Sequence, residues 1–257
     1  MSARGLDVEA VRARFAGRVI QWFDSVPSTM PLTAKLAAEG AAHGTVVGAE
    51  EQTAGQGRLG RSWHSEAGRG LYVSIVLRSA QAAEAFPGLT LAVGLATQEA
   101  ILRSCGVHCD LRWPNDILIG EKKCAGILLN REGAAAIAGI GINVNHKSFP
   151  PEIAPLATSL RLAAGHEFSR EKLLVELLDS VEAYCEMIDR DGIEPILRLF
   201  TQMSTYASGR RVVVETPSGV VEGITEGLDP QGFLRVRTDN GRVERIMAGG
   251  VRPAVFR

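Results

Sequence analysis

Apolar positions recur at helical spacing in the opening segment "LDVEAVRARFAG", where Leu6, Val8, Val11 and Phe15 share one face and Gly17 is placed to end the helix. "RVIQWFDSV" then alternates and is β-branched, which predicts a strand, and Ser28 stands as an N-cap directly before the helical pattern of "TMPLTAKLAAEG". "GTVVGAEEQ" and "LYVSIVLR" read as further strands, separated by a polar, glycine-rich loop from Thr53 to Gly70. "AFPGLTLAVGLATQEAILRSCG" is apolar nearly all round and reads as a buried helix ended by Gly106.

"CDLRWPNDILIG" and "KCAGILLN" read as two strands paired around a turn, and "AAAIAGIGINVN" as a central buried strand. Helical spacing returns in "SREKLLVELLDSVEAYCEMIDRDG", with Ser169 and Glu171 or Lys172 near its start, and in "EPILRLFTQM". Beyond Gly209 the pattern becomes "RRVVVETP", "GVVEGITEGL", "GFLRVRTD" and "RVERIMAG", short alternating runs divided by "PSG", "DPQG" and "DNG". These patterns predict an α+β domain with a mixed β-sheet flanked by helices over residues 1–207, and a small SH3-like β-barrel over 208–257.

Composition narrows the function classes. With 46% hydrophobic and 22% charged residues and a formal net charge of −1, the 257-residue chain reads as a globular protein without a dedicated nucleic-acid surface. The apolar runs are too short for a bilayer span and the N-terminus is charged where a signal peptide needs an apolar run, so a cytoplasmic protein is expected. The four cysteines (Cys105, Cys109, Cys124, Cys185) form no CxxC pair and read as free thiols. The five histidines show no metal-binding spacing, so metal ligands stay unknown.

Three clusters carry candidate chemistry. In "QTAGQGRLGRSW", Gly55, Gly57 and Gly60 spell GxGxxG, but the continuation "RSWHSEAGRG" is polar and broken by glycines. It cannot form the packing helix that a dinucleotide-binding turn requires, and GxxxxGK[ST] is absent, which excludes a P-loop as well. What remains is a loop whose Arg58 and Arg61 suit phosphate oxygens and whose Trp63 offers a stacking face, flanked by Gln52; a solvated basic turn explains the same residues equally well. In "RWPNDILIGEKKCAGILLN", Trp113, Pro114, Asn115 and Asp116 stand at a turn, Lys123 leads into an apolar strand in which Gly126 admits close approach, and Asp116 caps the turn, bonds to a neighbouring backbone or helps hold a metal. In "AGIGINVN", Gly139 and Gly141 lie in a buried strand, where glycine marks close approach by a ligand or by a neighbouring backbone.

The combination "QTAGQGRLGRSW", "RWPND", "KKCAGIL" and "GIGINVN", in this order, resembles the biotin protein ligase family from about Val19 to the C-terminus. The resemblance implies a catalytic domain of the class II aminoacyl-tRNA synthetase-like kind and a two-step reaction. Biotin and MgATP give biotinyl-5′-AMP and pyrophosphate, and a lysine of a biotin carboxyl carrier domain, as in acetyl-CoA carboxylase, then takes the biotin and releases AMP. By position it implies Lys123, Arg58 and Asp116 as catalytic. For biotin it implies Ser28, Thr29, Gln52, Gly55, Gln56, Gly57, Arg58, Lys123, Gly126, Gly139 and Gly141. For ATP it implies Arg58, Arg61, Trp63, Lys123 and Asn143.

Two positions depart from the family pattern: Met30 stands where asparagine usually follows Ser-Thr, and Gln56 stands where "GRGR" has arginine. The resemblance also brings a homodimer as an expectation, and no tightly bound cofactor. About 18 residues precede the expected catalytic domain, too few for a three-helix DNA reader, so transcriptional repression and nucleic-acid or membrane partners are not expected. A lipoate-type ligase and a non-catalytic biotin-binding protein are the alternatives. The Thr53–Gly70 loop is expected to become ordered only when ligand supplies contacts that its sequence cannot make internally.

Overall fold

A computed structural model describes residues 6–78 and 86–254. Ala85, the first residue of the expected apolar helix, and the outermost residues of both expected domains lie outside the described residues. In chain order the first half contains α1 (Val8–Arg14), β1 (Ile20–Val26), α2 (Thr29–Ala38), β2 (Val46–Gln52), β3 (Gly70–Leu77), α3 (Phe86–Cys105), β4 (Asp110–Arg112), β5 (Asp116–Ile119), β6 (Lys122–Glu132) and β7 (Ala135–Asn143). There follow α4 (Leu160–Ala164), α5 (Arg170–Asp191), α6 (Glu194–Met203), and strands β8 (Ser208–Thr216), β9 (Gly219–Leu228), β10 (Leu234–Thr238), β11 (Val243–Ile246) and β12 (Gly250–Pro253).

β1 to β7 form one sheet in the order β1-β2-β3-β7-β6-β5-β4, in which only β1 and β2 run parallel, giving the expected mixed sheet with β7 at its centre. Period-two alternation along β7 divides its side chains between two faces. Ala136, Ala138, Ile140 and Ile142 enter the main core with α3 and α5, whereas Ala135 and Ile137 pack with Met30 and Ala37 of α2 on the other face. Gly139 and Gly141 continue that second face, so the sheet is bare there, and the bare floor is where a ligand can lie.

Helix ends follow from local chemistry. Asp7, Ser28, Ser159 and Ser169 each accept a backbone N–H in the first turn of α1, α2, α4 and α5, satisfying donors that a helix start otherwise leaves orphaned. Among the described residues no helix is long and apolar enough to cross a membrane.

The second sheet, antiparallel in the order β11-β10-β9-β8-β12, is the expected all-β module. Its Val212, Val214, Leu234 and Val236 join the main core, and Trp113 Nε1 donates to the Gly232 carbonyl at 3.0 Å, so this module is packed against the larger sheet's helices and turns.

Three sequence expectations need correction. The turn expected at Trp113–Asp116 splits "CDLRWPNDILIG" into two short strands, β4 and β5, so three strands rather than two pair here once β6 is added. α4 was not anticipated, since five residues carry too little periodicity to register. The Thr53–Gly70 stretch does make internal contacts. Gln56 and Ser62 pair across a bridge, Trp63 N donates to Gly55 O at 2.8 Å, Gly57 N donates to Arg61 O at 2.7 Å, and a 3-10 turn at Arg58–Gly60 closes the loop tip with Leu59 at a φ of 57°.

Candidate functional site

The bare floor of the sheet is walled by the start of α2, the end of β2, the loop tip and β6. Together they enclose about 450 Å³ including the open mouth, and Ser28, Thr29, Gln52, Gln56, Gly57, Arg58, Trp63, Lys123, Gly126, Gly139 and Gly141 all line it. These side chains come from five separate stretches of sequence, and the fold brings them together.

At one end the polar groups are pre-oriented. Gln52 Oε1 accepts from Thr29 N at 2.9 Å and from Thr29 Oγ1 at 3.2 Å, and Thr29 Oγ1 also lies 2.7 Å from Ser74 Oγ. Fixing Oε1 leaves the amide nitrogen of Gln52 as the donor available to the cavity. Met30, the departure from the family pattern, lies over Gly139; a Cβ at that glycine would stand 2.5 Å from the methionine sulfur.

The floor glycines have a second occupant. Trp63 lies on Gly141 and Gly126, a directly paired couple on β7 and β6, and a Cβ at Gly141 would fall 2.5 Å from the indole. A ligand or a neighbouring backbone was the expected reason for glycine here, and what approaches is instead one of the chain's own side chains. Trp63 Nε1 is buried without a hydrogen-bond partner, a free donor on the cavity wall.

At the other end lies a cluster of charge. Lys123 Nζ is 2.5 Å from Asp116 Oδ1, and Arg112 donates to Asp116 Oδ2 at 2.7 Å. Burial alone would raise the Asp116 pKa, but Lys123 and Arg112 outweigh it and hold the carboxyl below its usual range. Arg58 donates to Asn115 Oδ1 at 3.1 Å, and Asn115 is in turn held by Nδ2 to Ile127 O at 2.8 Å. Burial lowers the Arg58 pKa and Asp116 raises it; an arginine so placed keeps its charge. Three cations thus surround one carboxylate, which makes the cavity attractive to anions.

The aim of Lys123 depends on an irregularity. Ile117 pairs with Ala125 and Leu118 with Lys123, so Cys124 is an extra residue on β6, a β-bulge. In a regular strand Lys123 and Gly126 would face opposite sides; the bulge restores them to one side, with Nζ close to the space above Gly126. Lys123 N also donates to Leu156 O at 2.8 Å and its carbonyl accepts from Thr158 N at 2.9 Å, fixing the backbone from a segment that sequence reading left unassigned.

Three expected residues stand apart. Arg61 is exposed at the loop and outside the cavity lining. Asn143 is buried and donates through Nδ2 to Thr158 O at 3.0 Å. Gly55 is buried beneath Trp63, close to the Gln52 amide rather than on the wall. Conversely, sequence reading left Arg112 and Asn115 without roles; the available signal was their place in "RWPND", with Arg112 four residues before Asp116.

Comparison with known proteins follows the same outline. Residues 22–146 match the Biotin/lipoate A/B protein ligase family and residues 207–251 match the Biotin protein ligase C terminal domain. The chain is 34% identical over 248 residues to the Bifunctional ligase/repressor BirA of Bacillus subtilis, covering 94% of this chain and 76% of that protein. It is 33% identical over 257 residues to the Biotin--[acetyl-CoA-carboxylase] ligase of Mycobacterium tuberculosis, covering 96% and 95%. Among solved structures, the biotin protein ligase from Aquifex aeolicus in complex with biotin and ATP superimposes with a TM-score of 0.82 at 30% identity, covering 92% of this chain and 99% of that one. Matches that span both sheets, at this identity and coverage, establish that the chain belongs to the biotin protein ligase family and is an enzyme of that ligase class.

Proposed function

We propose that the cavity joins biotin to ATP and passes the biotin to a carrier domain, with Lys123 as the group that brings the two reacting anions together. A biotin carboxylate oxygen attacks the α-phosphorus, the bond from that phosphorus to the bridging oxygen breaks, and pyrophosphate leaves. The ε-amine of the acceptor lysine then attacks the mixed-anhydride carbonyl, loses a proton and displaces AMP. The observation that carries this reading is Lys123 on the cavity wall, held by Asp116 and backed by Arg112. Two anions repel as they meet, and a preoriented ammonium between them offsets that repulsion most in a site partly withdrawn from water.

Arg58 is assigned to the phosphates, the Thr29–Gln52 pair to the polar end of biotin, and the glycines Gly126, Gly139 and Gly141 to the approach of ligand over the sheet. In this reading the free Trp63 Nε1 donor and the indole face meet the nucleotide. Asn143 would reach an adenine edge only after giving up Thr158, so it is assigned to holding the 156–158 segment. Magnesium enters as part of MgATP. The cavity lining includes no carboxylate, and both oxygens of Asp116 are bound to cations, so the residues present do not build a resident magnesium site.

The acceptor assigned to the cavity is the lysine of a biotin carboxyl carrier domain, and the reaction is assigned to the cytoplasm on the short apolar runs and charged N-terminal segment of the sequence. The two-part division at 207/208 belongs to the same reading. The test is ATP-dependent transfer of labelled biotin to such a domain, with lipoic acid run in parallel. Transfer of biotin with pyrophosphate release is expected. Transfer of lipoate instead, or binding of biotin without pyrophosphate release, would overturn the reading.

A further inference from the structure

Outside the cavity, the end of the glycine loop runs beside the exit from β7. Gly70 pairs with Asn143, and Asn145 N donates to Arg69 O at 2.7 Å. That alignment sets His64 and Glu66 of one segment against His146 of the other. One ring nitrogen from each histidine and a Glu66 carboxylate oxygen all lie within 4.8 Å of one another. No local spacing in the sequence announces the group, because its members are 80 residues apart and meet only through the sheet.

The second observation is the state of His146. Its side chain is fully buried, stacked on Phe149 with ring centroids 5.1 Å apart, and its Nδ1 has no hydrogen-bond partner. The other ring nitrogen is held by Tyr72. That hydroxyl has one proton, which it donates to Glu66 O at 3.2 Å, and it accepts from Glu66 N at 3.0 Å. The same hydroxyl lies 3.2 Å from His146 Nε2. With Nε2 anchored by an outer hydrogen bond and Nδ1 buried without a partner, His146 has the arrangement of a metal ligand when its proton sits on Nε2.

We propose that His64, Glu66 and His146 bind one divalent transition-metal ion of the zinc type. Two imidazoles and a carboxylate suit such an ion and leave a coordination position open to water. Tetrahedral bonds of about 2.0–2.1 Å put donors roughly 3.4 Å apart, so the three groups converge by about an ångström on binding. A solvent-open cavity reaches the group at His64, which lines it with Ser65, Pro150 and Ile153. Glu66 exchanges its ion pair with Arg69 for the metal, and Arg69 keeps Glu167 at 3.4 Å. The ion would tie the stem of the glycine loop to the end of β7, one residue from Trp63.

The test uses the full chain, stripped with EDTA and titrated with Co²⁺ in the absence of biotin and ATP, followed by its visible absorption. A saturable band at one ion per chain, displaced by Zn²⁺ and weakened at least tenfold in both His64→Gln and Glu66→Gln, is expected. His64 is half-buried and Glu66 exposed, so neither substitution opens a core cavity, and circular dichroism checks that each variant is folded. Absence of a saturable band in the wild-type chain would overturn the proposal. So would a band of unchanged affinity in both variants, which would place the ion on His43, His108 or His166.

Discussion

Lys123 Nζ and Asp116 Oδ1 are 2.5 Å apart on neighbouring strands, and the carboxylate's other oxygen belongs to Arg112. Removing the ammonium therefore leaves the carboxylate paired and the fold intact, while taking away the charge that the reacting anions need. Lys123→Ala is expected to slow adenylate formation by at least ~100-fold, the scale of losing one preorganised stabilising group. Biotin-dependent pyrophosphate release measures it; turnover near the wild-type rate would remove Lys123 from its assigned role.

The same cluster has an acid limb. Asp116 titrates below the unfolded carboxyl value, so as pH falls the unfolded chain takes up its proton first. The stability the cluster contributes is complete above about pH 4 and shrinks below it. Urea midpoints of the wild type and Asp116→Asn should differ widely at pH 6 and converge towards pH 3. A gap of the same size at both pH values would contradict the assignment.

Gly141 carries the indole of Trp63. Gly141→Val forces the ring from the floor, at a cost of about 1–3 kcal/mol for overpacking a fitted contact. A lower denaturation midpoint and a red shift in the emission lost on Trp63→Phe are expected; an unchanged midpoint would mean that the ring moves freely.

Trp113 joins the two sheets through its bond to Gly232 O. Trp113→Phe keeps the ring packing but orphans that carbonyl, and about 1–2 kcal/mol of stability should be lost, read from the urea midpoint. An unchanged midpoint would show that the two sheets hold together without this bond.

Periodicity carried most of the fold. The alternation of β7 and the apolar run of α3 each follow from which neighbours bury them, and both are visible along the chain. The helix caps, three serines and one aspartate, were partly visible too, as at Ser28. The hairpin of β4 and β5 was not, because three- and four-residue strands are shorter than the period that reveals them. At the site, residue types marked Lys123 and Arg58, but Arg112 and Asn115 gain meaning only from the atoms they touch. The His64, Glu66 and His146 group was invisible for the same reason: tertiary register, not local spacing, brings it together.

The bulge at Cys124 makes the position of Lys123 a matter of counting. A substitution at Cys124 leaves the number of residues between Ile117 and Gly126 unchanged, and so leaves the register that puts the lysine on the cavity side. Drawing Cys124 into the ladder opposite Leu118 would turn the ammonium towards the core, whereas deleting Cys124 would leave Lys123 two positions before Gly126 and still on the cavity side. What the lysine's direction requires is therefore its pairing with Leu118, which a strand one residue shorter would also supply.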